Sequence, residues 1–556
     1  MARTTLMRHP GHARLENQHR FGNPANTFFT KSFALYRSGS GADRRLGRAQ
    51  FKKSFTTGDD MKAVTAAGAM LGLCTVLGTQ AHAQGAPPEP GLVPPIAAPA
   101  ARRPVIRRVV RRAPSRRIFG NDGSAAAAAD VLGQSATPPT LPPGTFDLGN
   151  GLTFLANYTG QAAGNPVGGI RQGTAYAGQL FFGIDADLNR LAGIAGGSVH
   201  VAVTNRHGRS LAQDLIGNNT SVQEIYGGGQ TTRLTLLSYQ QKLFDNRLDI
   251  EVGRLVANIA FLNSPIYCNF QTNSACGNPT FVFKTSNFTF WPVASWGGHA
   301  KAWLTDRVFF HAGVYEVNPL HQQPGDNGLD FSTKGATGAI VPFELGYATT
   351  FANDALPRNV GIGGWVDRSD YPDPVRDVAG GRAVLTGLDP RTRFGRSGIY
   401  ARFDQMVWRP DPTAIQGLTL FGVAMTGTGG RLIEDYFLEI GALQTGTFAG
   451  RPYDTVGFVI NTQKFSDLAL SNIYAAQASL GVSRKIPEHQ IMMELNYGLQ
   501  VSPAIRLTPN LQYIVNPDQT RFPYRTRNIP DALVVGAKLS VDLFTLAGLG
   551  RGPGSP

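Results

Sequence analysis

The sequence predicts an all-β protein, a transmembrane antiparallel β-barrel of sixteen strands with long extracellular loops. Three observations carry that prediction: side chains that alternate with period two, aromatic residues that recur near strand ends, and a secretory signal. Composition agrees. Only 16% of the 556 residues are charged and 42% are hydrophobic, against about a quarter charged in an ordinary soluble domain. Gly 66, Phe 32 and Tyr 16 favour many short strands joined by turns. The only long uncharged apolar run is 63–79, so a bundle of membrane helices, each needing about 20 apolar residues, is excluded. Three cysteines exclude a disulfide scaffold.

Met61-Lys62 opens a positive n-region, 63–79 is an apolar h-region, and Ala81-His82-Ala83 precedes Gln84 as a small-x-small cleavage site. Residues 61–83 therefore read as a signal peptide, and 1–60, polar and basic without apolar periodicity, as an over-extended start absent from the mature protein. Residues 84–145 are rich in Pro and Ala and carry four Arg pairs, at 102–103, 107–108, 111–112 and 116–117. Such a segment buries no core and reads as a disordered periplasmic stretch. It is either a solvated linker or a tether for an anionic cell-envelope polymer.

The net charge of +14 belongs to these segments. Residues 146–556 carry 32 basic and 31 acidic side chains. The basic stripe of a nucleic-acid-binding face is missing, so no nucleic-acid partner is expected.

From 146 to 544 the pattern is period two. Leu180, Phe182, Ile184, Ala186 and Leu188 alternate with Phe181, Gly183, Asp185 and Asp187. Ile491, Met493, Leu495, Tyr497, Leu499 and Val501 alternate with Met492, Glu494, Asn496, Gly498 and Gln500. The same holds for Ile505 to Val515 and Leu533 to Leu543. Soluble sandwiches alternate too, but Tyr158, Tyr176, Tyr239, Tyr347, Tyr400, Tyr513 and Phe544 near strand ends suit interfacial girdles. Together with the signal peptide they exclude a cytosolic sandwich and a cytoplasmic enzyme, and fit an outer-membrane barrel. About seventeen candidate strands can be counted between Gly151 and Phe544. Closure demands an even number, so one strand is over-counted or one is missed; sixteen would leave an aqueous channel. Residues 545–556 form a C-terminal tail.

Several stretches then resemble one family: GNPVGGIRQGTAYAGQL, TNRHGRSL, VQEIYGGGQTTRL, EVGRL and SPIYCNFQTNSACGNP within 164–279, GVYEVNP at 313–319, GATGAIVPFELG at 335–346, RSGIYARFDQMVW at 396–408 and YGLQVSPAIRLTPNLQYIVNP at 497–517. They resemble the carbohydrate-selective porins of the OprB type. The resemblance implies a sixteen-stranded channel for glucose and other small sugars, from mono- to oligosaccharides. Two features depart from the family: the Arg/Pro-rich segment and the twelve residues after Phe544.

A sugar-selective pore needs charged or amide groups facing the lumen, with binding weak enough to permit exit. The alternation places Arg402, Asp404, Glu494, Asn496, Arg506, Asn510, Gln512, Lys538 and Asp542 inward. Arg402 with Asp404, and Glu494 with Arg506, could set opposite charges across a constriction; each residue could equally be ordinary pore wall. Arg206, Arg209 and Arg254 stand at strand ends or in a loop, where an inward fold would bring guanidinium forks to sugar hydroxyls. Glu316 and Asn318 are similar. Cys268 and Cys276 lie in an Asn-rich loop, and an oxidising compartment favours a disulfide between them. No metal, cofactor or catalytic motif is expected, although His299 and His311 on neighbouring strands keep an outer-membrane hydrolase as a rival. A general or anion-preferring porin is a second rival. Partners are sugars and outer-membrane lipid, and the oligomer is a monomer or homotrimer.

Overall fold

The computed structural model describes residues 145–264, 266–275 and 280–550. The expectations for 1–60, the signal peptide 61–83, 84–144, Cys276 and 551–556 lie outside the described residues.

Sixteen antiparallel strands form a closed ring. In chain order they are β2 (Leu152–Val167), β3 (Gly173–Asp187), β4 (Gly197–Gly208), β5 (Thr232–Leu243), β6 (Leu248–Leu255), β7 (Ser295–Trp303), β8 (Val308–Val317), β9 (Gly338–Ala348), β10 (Arg358–Asp377), β11 (Pro390–Trp408), β12 (Gly417–Gly429), β13 (Glu434–Thr445), β14 (Thr455–Phe465), β15 (His489–Ser502), β16 (Ile505–Val515) and β17 (Ala532–Asp542). Each pairs with the next, and β17 closes on β2 through Leu539↔Gly160 and Val541↔Tyr158. Closure matters because an open edge in hydrocarbon would leave backbone groups unpaired. A short β1 (Thr145–Asp147) continues the β17 side of β2 through Phe146↔Phe154, and its Phe146 ring stacks on Phe544 at 5.7 Å. Residues 280–291, TFVFKTSNFTFW, have the aromatic content of a strand. They form instead a helix, Thr280–Thr285, and coil inside the ring. Apolar side chains there serve an inward-folded loop.

Alternation sets the two faces. Leu180, Phe182, Val252, Phe310, Leu345, Leu495 and Leu511 are each more than a third exposed, on the outer face. Between them lie buried inward residues such as Phe181, Glu251, His311, Glu344, Glu494 and Gln512. Large apolar side chains exposed in this regular way mark a lipid face. Tyr400, expected in the aromatic girdle, is the exception. It is buried, in phase with inward Arg402, and donates to Glu344 Oε2 at 2.9 Å. One end of the ring has short turns, such as 244–247, 304–307 and 503–504, and the other has the long loops 209–231, 256–294, 318–337, 466–488 and 516–531. Short turns belong to the periplasmic side.

Candidate functional site

The loop 256–294 folds into the barrel because its side chains find both apolar and polar partners there. Phe261, Phe281, Phe288 and Trp291 join the inward Phe181, Tyr315, Ile340, Trp365 and Tyr400 in one buried cluster. Tyr267 and Phe270 pack with Phe421, Leu443 and Val459 in another. A loop inside a barrel must also satisfy its backbone. Gln271 N and Thr272 N donate to Glu494 at 2.9 and 2.6 Å, Asn287 N donates to Asp367 Oδ2 at 2.9 Å, and Ser264 Oγ donates to Asp404 Oδ2 at 3.1 Å. Lys284 Nζ lies 2.8 Å from Glu434 Oε1 and 3.4 Å from Asp518 Oδ2, all three side chains being nearly fully buried. Burial works against the ammonium charge, but the two carboxylates outweigh it and raise the Lys284 pKa.

These contacts assign partners to the residues expected in the lumen. Arg402, Asp404, Glu494, Asn496 and Arg506 all point inward, as do Asn510, Gln512 and Lys538. Their pairings differ from those expected. Arg402 is held bidentately by Glu344, at 2.8 and 2.7 Å, and not by Asp404, which accepts from Ser264 and Asn359. Gly361 makes this possible, since a Cβ there would come within 2.8 Å of Glu344 Cδ. Glu494 and Arg506 do not form a pair. In register Glu494 faces Gln512 while Arg506 faces Gln500, about 20 Å apart along the strands. Arg506 donates instead to Thr455 Oγ1 and Tyr453 O. Asn496 donates to Asn269 O, Asn510 to Gln271 Oε1 and Gln512 to Val222 O, so much of this wall holds loops.

The strand-end arginines are separated. Arg206 is buried on the inner face and donates to Gln179 Oε1 and Gly227 O. Arg209 is two-thirds exposed and pairs with Asp214 at 3.1 Å. Arg254 and Glu316 share the outward phase of Val252 and Val314, which corrects the expectation that they line the pore. Arg254 donates to Asp330 O and Ala294 O, and its guanidinium lies over Phe331, so it pins the loop 318–337. Asn318, buried, donates to Glu316 Oε1 and Lys334 O within the same loop root. Cys268 is buried, and the bridge to Cys276 stays a proposal.

The inner wall of β3 to β8 carries residues that the sequence reading left scattered. One rung runs Asp185–His200–Gln240–Asp249: His200 Nδ1 is 2.6 Å from Asp185 Oδ1, its Nε2 is 3.2 Å from Gln240 Oε1, and Gln240 Nε2 donates to both oxygens of Asp249 at 2.8 and 2.9 Å. A second runs Ser238–Glu251–His299–His311, with steps of 2.5, 3.2 and 3.0 Å. Phe261, from the inward loop, stacks on His311 at 4.0 Å between centroids. Below, Lys301 Nζ lies over Phe309 and Trp303 at 3.9 and 5.0 Å. Cross-strand phase could have found both rungs: every member but His299, which follows Gly298, comes one position after an outward apolar neighbour.

Comparison with known proteins agrees with this architecture. The family profile described as carbohydrate-selective porin, OprB family, matches residues 171–543. Porin B of Pseudomonas aeruginosa is 29% identical over 406 residues, covering 70% of this chain and 87% of that protein. The putative porin QuiX of Acinetobacter baylyi is 26% identical over 411 residues, covering 70% and 89%. The high-pH structure of Pseudomonas putida OprB superposes with a TM-score of 0.64 at 29% identity, over 71% of this chain and 94% of that one.

Proposed function

The chain belongs to the OprB family of carbohydrate-selective porins, and from that premise we propose that sugars cross along the inner wall of β3 to β8, opposite the anchored wall. It is a Gram-negative outer-membrane channel through which carbohydrates diffuse. The observation that carries the route is the rung Asp185–His200–Gln240–Asp249, whose two carboxylates keep part of their surface exposed, backed by the largely buried rung Ser238–Glu251–His299–His311 with the Phe261 ring against it. A sugar offers hydroxyls that donate and accept, and an apolar C–H face. Carboxylate, imidazole and amide groups in succession exchange hydrogen bonds with the first, and an aromatic ring covers the second. Exchange between equivalent partners keeps each bound state shallow, which permits exit.

Within this reading the anchored residues build the constriction indirectly. Arg402 with Glu344, Asp404, Glu494, Asn496 and Arg506 hold the inward loop and the wall, while Arg206, Arg209, Arg254, Glu316 and Asn318 shape the loops around the mouth. The reading includes glucose and other small sugars as substrates, a disulfide between Cys268 and Cys276, a signal peptide at 61–83, outer-membrane lipid around the barrel, and a monomer or homotrimer. The Arg-rich stretch of 84–145 is read as a contact for an anionic envelope polymer. No catalytic role is assigned. In the hydrolase reading a serine would face the histidine pair, whereas Ser238 Oγ donates to Glu251.

Single-channel conductance in planar bilayers, with a panel of mono- and disaccharides, tests the reading. Graded block of the ion current by sugars is expected. Current insensitive to every sugar, with a marked anion preference in reversal potential, would instead establish a general porin.

A further inference from the structure

The strands β10 and β11 are the longest of the ring and run on toward the long-loop end. Along β10 the inward phase continues through Trp365, Asp367, Ser369, Tyr371 and Asp373, all buried. Asp373 has no exposed side-chain surface. Its Oδ1 accepts from Val375 N and Arg376 N at 2.8 and 2.9 Å. Its Oδ2 accepts from Arg393 Nε on β11 at 2.7 Å, and Arg431 Nε, in the loop after β12, lies 3.1 Å from the same oxygen as an ion pair. Arg431 is fixed further, because its backbone N–H donates to Tyr371 Oη at 3.0 Å, across the inner side of β11.

One carboxylate thus faces two guanidinium groups, Arg393 through a hydrogen bond from Nε and Arg431 through an ion pair. Among the described residues no acceptor takes a hydrogen bond from the Nη1 and Nη2 nitrogens of either arginine. Both side chains are about a third exposed, at 36% and 34%. A neighbouring arginine does not share this freedom. Arg396 is nearly buried, is paired with Asp367 Oδ2 at 2.9 Å and lies over the Tyr371 ring at 4.4 Å. Asp367 Oδ2 also accepts Asn287 N from the inward loop, so the cluster sits on the mouth side of the constriction.

We propose that Arg393 and Arg431, clamped on Asp373, form a capture subsite for the carboxylate of a sugar acid, a hexuronate or an aldonate, at the extracellular mouth. The inference rests on the sugar-channel reading and adds a charged substrate class to it. The group of Asp373, Arg393 and Arg431 carries a net charge of +1, which favours an anion over a neutral sugar. Planar guanidinium forks bind a carboxylate through two parallel hydrogen bonds, which an ammonium cannot reproduce. Pairing both arginines with one buried carboxylate, and fixing the Arg431 backbone on Tyr371, restricts their orientations and lowers the entropy lost on capture.

The test uses the full-length channel in planar bilayers, with glucuronate and glucose added on the long-loop side and chloride as the current carrier. The Arg393→Lys/Arg431→Lys double variant keeps both charges and removes both forks. Its glucuronate block is expected to weaken about fivefold, while glucose block, chloride conductance and heat-modifiable migration stay as in the wild type. Unchanged glucuronate block in that variant overturns the subsite, and so does an equal loss for glucose and glucuronate. Absence of block by any sugar in the wild type overturns the channel reading, and the subsite with it.

Discussion

Two walls of the same barrel use the same alternation for different ends. On β10 to β16 the inward polar residues are consumed by loops: Glu494 takes two loop amides, Asp367 takes Asn287 N, and Glu434 takes Lys284. On β3 to β8 loops take Gln179, Arg206 and Arg233 near the mouth, but farther along the strands the inward polar residues meet one another, strand to strand, in two rungs. Inward phase alone therefore does not define a pore lining. What decides is whether a loop has claimed the side chain.

The largest break in this contrast is expected at Lys284. Lys284→Met leaves Glu434 and Asp518 buried side by side without their cation, a change that costs about 3 to 5 kcal/mol. The inward loop should detach, read as a larger, noisier conductance and a lower temperature for the heat-modifiable shift. Glu494→Ala comes next. Gln271 N and Thr272 N lose their acceptor, at about 1 to 3 kcal/mol for each orphaned donor, and the same assays should show a change of similar scale in the same direction. Glu251→Gln sharpens the other side of the comparison: it retains an acceptor for Ser238 and removes the charge. Sugar block should weaken by about threefold or less with loop anchoring intact, because Glu251 has no exposed side-chain surface and acts on the wall through His299. Smallest of all is Arg209→Ala, on a two-thirds exposed ion pair. Stability should move by no more than about 0.5 kcal/mol and sugar block not at all.

Much of the fold was legible because period two is a local property. The phase of β15, β16 and β17 follows from neighbours two residues apart, and the inward placement of Glu494, Arg506 and Lys538 followed with it. Partners were not legible. Arg402 and Asp404 lie on one face at i and i+2, which suggests a pair, yet cross-strand neighbours come closer than that spacing, and bare Gly361 lets Glu344 reach across from β9. Arg254 was misplaced for a related reason. In the run EVGRL a glycine supplies no side chain to mark the phase, while Val252, 48% exposed, shows that Arg254 belongs outside. The rungs were missed because His200, His299 and His311 are far apart in sequence and meet their partners only through register. The inward course of 256–294 was hidden for the same reason, since its aromatic residues suit a strand as well as a loop buried in a barrel.

The claim that sugars follow β3 to β8 is tested most directly by single cysteines on the two walls. Asp249→Cys places a thiol on the proposed route, and Asn510→Cys places one behind the loop contact with Gln271. A hydrophilic thiol reagent applied to single channels should step the current down for Asp249→Cys, more slowly when sugar is present, and leave Asn510→Cys unaltered. Fast, sugar-protected modification of Asn510→Cys with Asp249→Cys inert would put the route on the other wall and contradict the account.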